Sequence, residues 1–321
     1  MTRSRLIAGR LATFLASLLT ASVVIFCLVN LLPGDVATVI LGDQADAESL
    51  AALRAQLGLD RPLVVRYLEW MGDMLTGNFG TSVGTGQSVV GMIAPKLGVT
   101  LWLVGLGMML AIAVAVPVGM VAALRRRRWS GALMSALSQL GMAVPAFLAG
   151  ILLVVLFAVE LHWLPANGYT PLSSNPVEWA RHLVLPVLSL ALVQASVLTR
   201  YVRSAFIEVL GEDWFRTARS VGWTTRNAMV RHGLRNAALS VVTVLGLQLA
   251  TLFVGAIVVE SVFALPGLGR LLLGAVQQRE LVLVQAIVMI LVALVLVINA
   301  LVDLSYMAID PRLRSTEGEA R

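Results

Sequence analysis

The sequence predicts an all-α integral membrane protein, a bundle of six transmembrane helices. Three observations carry this. Of 321 residues, 58% are apolar and only 13% are charged, about half the charge of an ordinary soluble domain. The apolar residues gather into six long runs with polar segments between them. Those runs are continuous, not alternating. Continuous runs are the mark of lipid-spanning helices and exclude a β-barrel.

The first run, Leu11 to Leu32, follows Arg3, Arg5 and Arg10. A secretory leader has an apolar stretch of about 7–15 residues and a small-residue cleavage site. This run is longer, near the roughly 20 residues that a span needs. It ends in the helix-stopping turn Leu32-Pro33-Gly34-Asp35, so it is expected to be a retained span. Residues 33–98 form a long outer segment. Asp46 can cap a helix from Ala47 to Leu57, with Gly58 just past its end. Asp60 can cap a second helix with Pro62 in its first turn. That helix aligns Leu63, Tyr67, Trp70, Met71 and Met74 on one stripe. The stripe can lie on the bilayer, pack on the bundle or receive a partner. The turn Gly77-Asn78-Phe79-Gly80 closes the segment.

Five more spans are expected, approximately Val99–Leu124, Leu133–Val159, Leu183–Tyr201, Ala238–Val262 and Leu281–Met307. Pro117, Pro145 and Pro186 fall within or beside them, and each removes one helical hydrogen bond. Gln139, Gln194, Gln248, Asn299 and Asp303 lie in or near spans and are expected to face protein or a wet path. Leu161 to His182 reads as an irregular loop. Phe263 to Gly269 reads as a sharp turn, with Glu260 just before it as a structural acid.

The basic residues set the direction. With the N-terminus inside, the inner segments hold Arg3, Arg5, Arg10, Arg125 to Arg128, Arg200, Arg203, Arg216, Arg219, Arg226, Arg231, Arg235, Arg312, Arg314 and Arg321. The outer ones hold Arg54, Arg61, Arg66, Lys96, Arg181, Arg270 and Arg279. Seventeen against seven places both termini in the cytoplasm.

Several functions are excluded. The arginines sit beside spans, with no soluble basic domain for nucleic acid. Cys27 is the only cysteine, so an intrachain disulfide or thiolate cluster is impossible. His162, His182 and His232 have no ligand spacing. Lys96 is the only lysine and stands in no phosphate-binding loop. No catalytic triad or zinc motif occurs. Enzyme chemistry and a cofactor are not expected within this chain.

Ser204 to Asn236 is different: polar, Arg-rich and too structured for a plain connector. Gly211 interrupts the helix leaving the fourth span. Asp213 is expected to cap a short helix, Trp214–Val221, ended by Gly222. Trp214, Ala218 and Val221 fall on one face, and Arg216, Arg219 and Ser220 lie to the other side. Thr224 or Thr225 starts a second helix that runs through Arg231 into the fifth span. A two-turn helix is marginal alone. It needs a groove in a partner, or its own bundle, or the inner lipid surface.

The loop resembles the EAA signature of binding-protein-dependent ABC transporter permeases. The Glu-Ala-Ala-x-x-x-Gly core falls on Arg216-Thr217-Ala218-Arg219-Ser220-Val221-Gly222, where Ala218 and Gly222 match. Arg-Thr-Ala-Arg, followed by Arg231-His232-Gly233-Leu234-Arg235-Asn236-Ala237, is similar to the dipeptide/oligopeptide subfamily. Leu31 to Asp35, Leu57 to Pro62, Glu260 to Phe263, Pro266 to Gly269, Asp303 and Asp310-Pro311-Arg312 agree. The long first outer segment resembles the B-type subunit.

The resemblance implies the six-helix bundle of a type I ABC importer permease in a bacterial inner membrane. It also implies a C-type second permease subunit, two ATPase subunits that bind ATP and Mg, and an extracytoplasmic peptide-binding protein. Asp213, Trp214, Phe215, Arg216, Thr217, Ala218, Arg219 and Gly222 then couple to an ATPase. Arg231, His232, Arg235 and Asn236 form a second coupling segment, and Glu260, Pro266, Gly267 and Gly269 an outer gate. The chain divides into 1–98, the first span with its outer segment, and 99–321, the core with a coupling loop at about 204–236. The expected substrate is a dipeptide or oligopeptide. Nickel, haem or sugars are the alternatives within the resemblance, and an ion- or proton-coupled secondary transporter is the alternative outside it.

Overall fold

A computed structural model describes residues 3–31, 41, 46–56 and 59–309. Among the described residues the only extended pairing is the isolated bridge between Thr81 and Ser88. Helix α1 spans Arg3–Leu31, α2 Ala47–Gln56, α3 Leu63–Leu75 and α4 Val89–Leu124. Helix α5 spans Trp129–Ala143 and α6 Ala146–Leu153, which winds on as a π-helix over Val154–Glu160. Helix α7 spans Pro176–Val209, α8 Asp213–Ser220 and α9 Thr225–Ala228. A π-turn, Met229–Gly233, joins α9 to α10, Leu234–Val262. Helices α11, Leu268–Gln277, and α12, Leu281–Ile309, complete the chain.

Among the described residues, five stretches are long and apolar enough to cross a bilayer unbroken: Ala8–Asn30, Val89–Leu124, Pro176–Val209, Asn236–Val262 and Leu281–Val302. The expected third span is instead an elbow, in which the two helices on either side of Val144-Pro145 meet at 98°. Proline disfavours the α conformation in the residue before it. Val144 accordingly has φ −88° and ψ 121°. Counted as one crossing, the elbow brings the total to six. The fourth span begins at Pro176, earlier than expected. Asn175 Oδ1 accepts from the backbone N–H groups of Val177 at 3.1 Å and Glu178 at 3.2 Å. Proline in the first position needs no acceptor there, so Asn-Pro makes a firm start. Pro117 and Pro186 lie inside unbroken helices.

The chain forms two compact units. One contains Thr100–Leu265 and, among the described residues, 297–309. Here α7 is the central helix and packs against α5, α6 and α10. It also approaches α4 closely. A Cβ on Gly119 would come within 2.7 Å of Val202 Cγ1, so only glycine fits without a shift. Gln194 is buried in this unit, and its side-chain nitrogen has no partner among the described residues. Gln139 is exposed, Gln248 accepts from the Thr251 hydroxyl, and Asn299 lies near Gly246.

The other unit contains Arg3–Val99 and Pro266–Leu296. Val89, Ile93, Leu268, Ala275, Leu283, Ala286 and Ile287 form its apolar cluster. Glu280, just before α12, is buried beside it. It accepts from the Ser82 hydroxyl and from the backbone N–H groups of Val83 and Gly84. Asp46 caps α2 as expected, accepting from Ser49 N at 3.0 Å. Ser49 holds the Asp46 carboxyl below its ordinary value by hydrogen bonding. Asp60 does not cap α3: Pro62 occupies the cap position, and no side chain bonds there. Tyr67, Trp70, Met71 and Met74 are half-buried, as the stripe requires, whereas Leu63 is exposed. Leu57 and Gly58 lie outside the described residues, as do Pro33 to Asp35 and Asp310 to Arg312.

Candidate functional site

The loop between α7 and α10 is built on one anchor. Phe215 is buried in a cluster with Ala123, Val202, Ala205, Phe206, Val209, Ala228, Met229 and Ala237. Trp214, Ala218 and Trp223 pack around that cluster and remain half-buried. Burying a phenylalanine contributes about 1.5–3 kcal/mol, enough to seat a two-turn helix that would not persist alone. The seat is the chain's own bundle.

Two details differ from the sequence expectation. Helix α8 begins one residue earlier than expected, at Asp213. Its N-cap is Glu212, and no side-chain cap bond forms. Asp213 lies in the first turn, where a carboxylate favours the helix dipole, and pairs with Arg216 at a long 3.5 Å. The apolar face is also rotated. It centres on Phe215 and Ala218, whereas Val221 is 74% exposed.

The outer side of α8 presents Asp213, Arg216, Thr217, Arg219, Ser220 and Val221 to solvent. Thr217 donates to the Asp213 carbonyl, and Arg219 donates to the Trp223 carbonyl at 2.7 Å. The second bond folds the chain back after Gly222, whose φ is +96°. That left-handed turn suits glycine and strains any side chain. Thr224 caps α9, its Oγ1 accepting from Asn227 N at 3.2 Å.

The second predicted segment meets the first through aromatic rings. His232 lies 6.3 Å from the Trp214 ring and 5.4 Å from the Trp223 ring. The Arg231 guanidinium covers Trp223 at 5.4 Å, a cation–π geometry. Asn236 is exposed in the first turn of α10. The Arg235 side chain lies outside the described residues. After the turn at Gly222, α9 and the π-turn run on into the α10 span, and the Trp–His ring contacts tie α8 to them.

The outer candidates divide between the units. Glu260, near the end of α10, is fully buried and accepts from the Thr100 hydroxyl of α4. This is the structural acid expected. Pro266, Gly267 and Gly269 belong to the other unit, where Gly267 is the N-cap residue of α11. The sequence reading missed α11 altogether and expected a plain turn. It also missed the Glu280 nest. The signal for the nest was slight: an acid abutting an apolar run, far from the turn residues it holds.

A model of the "Binding-protein-dependent transport system inner membrane component" matches residues 115–315, and its N-terminal counterpart matches residues 3–103. The chain belongs to this family. It is a multi-pass inner-membrane permease, the transport component of its system, with no ATPase site of its own. Similar proteins include the glutathione transport system permease protein of Salmonella paratyphi A, 42% identical over 95% of this chain and 97% of that one. A probable peptide ABC transporter permease protein of Sinorhizobium fredii is 37% identical over 96% and 98%. A putative peptide transport system permease protein of Brucella abortus is 41% identical, again over 96% and 98%. Among solved structures, the inward-facing MetNI methionine ABC transporter superposes with a TM-score of 0.55 at 18% identity. It covers 68% of this permease and 96% of its own chain. That likeness speaks for the fold alone.

Proposed function

We propose that the permease is the B-type half of the translocation pathway in an ATP-driven importer of short peptides. A C-type subunit supplies the other half. An extracytoplasmic binding protein delivers the peptide, and two ATPase subunits bind ATP and Mg on the cytoplasmic side. The termini are cytoplasmic, which places the loop between α7 and α10 against the ATPases.

One observation carries the coupling role. The α8 helix is anchored to its own bundle on one side and open on the other, and it is joined to α10 through the Gly222 turn, α9, the π-turn and the Trp–His ring contacts. A push on its exposed face is therefore passed to a span. Asp213, Arg216, Thr217, Arg219 and Val221 form the contact face. Trp214, Phe215, Ala218 and Gly222 hold the helix in place, and Arg231, His232, Arg235 and Asn236 join it to α10. Glu260 in one unit, and the Pro266–Gly269 segment in the other, are each assigned an outer-gate role by the resemblance. The peptide class rests on the relatives, which are described as glutathione and peptide permease proteins; glutathione is itself a short peptide.

The test is the complete complex in proteoliposomes, screened with di- to pentapeptides and glutathione for stimulated ATP hydrolysis and uptake. A Val221→Asp change alters only the open face of α8. Uptake is expected to fall at least tenfold while the subunits still co-purify. Undiminished ATP-driven uptake in this variant would sink the coupling role. No response to any peptide would sink the substrate class.

A further inference from the structure

Helix α3 has more apolar surface than its neighbour covers. At about 100° per residue, Tyr67, Trp70, Met71 and Met74 fall on one arc, and this arc meets α1. The Phe26 ring stands edge-on to Tyr67 at 5.4 Å and tilted to Trp70 at 5.8 Å. Next to that arc, at offsets 0, 4 and 11, lie Val64, Leu68 and Leu75. They are 69%, 63% and 80% exposed. The charged residues Arg66, Glu69 and Asp73 occupy the remaining side. Glu69 pairs with Arg61 at 2.7 Å.

The depth of the contact says what covers the second apolar arc. The apolar run of α1 ends at Asn30. The Tyr67 hydroxyl bonds to Ser22, which is fully buried. Ser22 lies eight residues before Asn30, or about 12 Å along the helix at 1.5 Å per residue. One half of a bilayer core is about 15 Å thick. Tyr67 therefore reaches hydrocarbon depth. Leu15, Leu19 and Val23 of α1 are exposed as lipid-facing residues are, and the bare arc of α3 is apolar and exposed in the same way.

We infer that α3 is sunk in the outer leaflet beside α1, with Val64, Leu68 and Leu75 against lipid chains and its charged side toward water. It is a lipid-embedded buttress of the first span, not an aqueous platform for the binding protein. The Ser22–Tyr67 bond then shields two hydroxyls from lipid, where an unpaired polar group is costly.

Spin labels test this in the assembled complex in lipid nanodiscs. Single cysteines replace Val64, Leu68, Leu75, Glu69 or Asp73 in a Cys27→Ala chain. Power saturation compares access by oxygen, which partitions into lipid, with access by a water-soluble nickel chelate. The ratio of oxygen to nickel access is expected to be several-fold higher at 64, 68 and 75 than at 69 and 73. Equal nickel access at all five positions overturns the proposal in favour of an aqueous surface. Low access by both probes at 64, 68 and 75 overturns it in favour of a protein cover, such as the second permease subunit. Neither result bears on the coupling role of α8, which the transport assay reads separately.

Discussion

Phe215 governs whether α8 exists as a helix at all. Its ring is the only fully sequestered side chain of α8, and the exposed polar bonds around it are worth little alone. Phe215→Ala removes a buried aromatic, a change that costs about 3–5 kcal/mol in well-packed cores. Hydrogen exchange across residues 211–222 is expected to quicken sharply while that of α7 stays near wild type. Unchanged exchange across 211–222 would show that the helix is held by something other than this anchor. Ala218→Glu and Gly222→Val are also expected to lower ATP-driven uptake, but by a different route. The first pushes a charge toward the apolar cluster, and the second strains a turn at φ +96°. Both unseat the helix, so they do not separate its contacts from its folding as Val221→Asp does. At this scale the sequence was nearly right. Trp214 and Phe215 are neighbours, and either can begin an apolar face on an eight-residue helix. Starting the face on Trp214 instead of Phe215 gave Val221 a buried role that it does not have.

Between elements, α4 and α7 make a close joint at Gly119. Valine there must displace Val202 and also presses on the Thr199 carbonyl. Overpacking of this kind costs about 1–3 kcal/mol. Gly119→Val is expected to lower the unfolding midpoint of the purified chain, whereas Gly105→Ala on the same helix should not, since a Cβ there meets nothing within 4 Å. Equal midpoints would mean that the two helices part without cost. The spans themselves were legible because lipid enforces long apolar runs, which survive any detail of packing. The joints were not. The elbow at Val144-Pro145 looks in sequence like the prolines at 117 and 186, and those lie in unbroken helices. Pro186 is buried in the central helix with Ser189 donating to its carbonyl at 2.8 Å, but Pro117 is exposed within an unbroken helix, so burial does not account for both. Pro145 opens a new helix at an exposed site. The early start of α7 was readable, since Asn175-Pro176 with Glu178 is a good N-terminal signal, but the low hydropathy of residues 176–182 hid it. Glu280 and its turn were invisible because almost 200 residues separate the partners.

For the whole molecule, the elbow decides the topology. If α5 and α6 cross the membrane together, the permease has six crossings and both termini on one side. If they dip in and return, every later segment changes sides. The basic residues choose between these. Crossing keeps the arginines of the α7–α10 loop and the three C-terminal arginines in the cytoplasm, seventeen inside against seven outside. A re-entrant elbow sends those ten outward and brings Arg181, Arg270 and Arg279 inward, leaving ten inside against fourteen outside. That inverts the bias expected of a bacterial membrane protein, and it strands α8 on the side with no ATP. The crossing form is therefore expected. Single cysteines in a Cys27→Ala chain can check it in intact cells with an impermeant maleimide. A cysteine at Leu172 should react from outside. Cysteines at Arg127 and Thr217 should react only after the membrane is opened. Labelling of Thr217 but not Leu172 from outside would establish the re-entrant form and move the coupling helix out of reach of any ATPase.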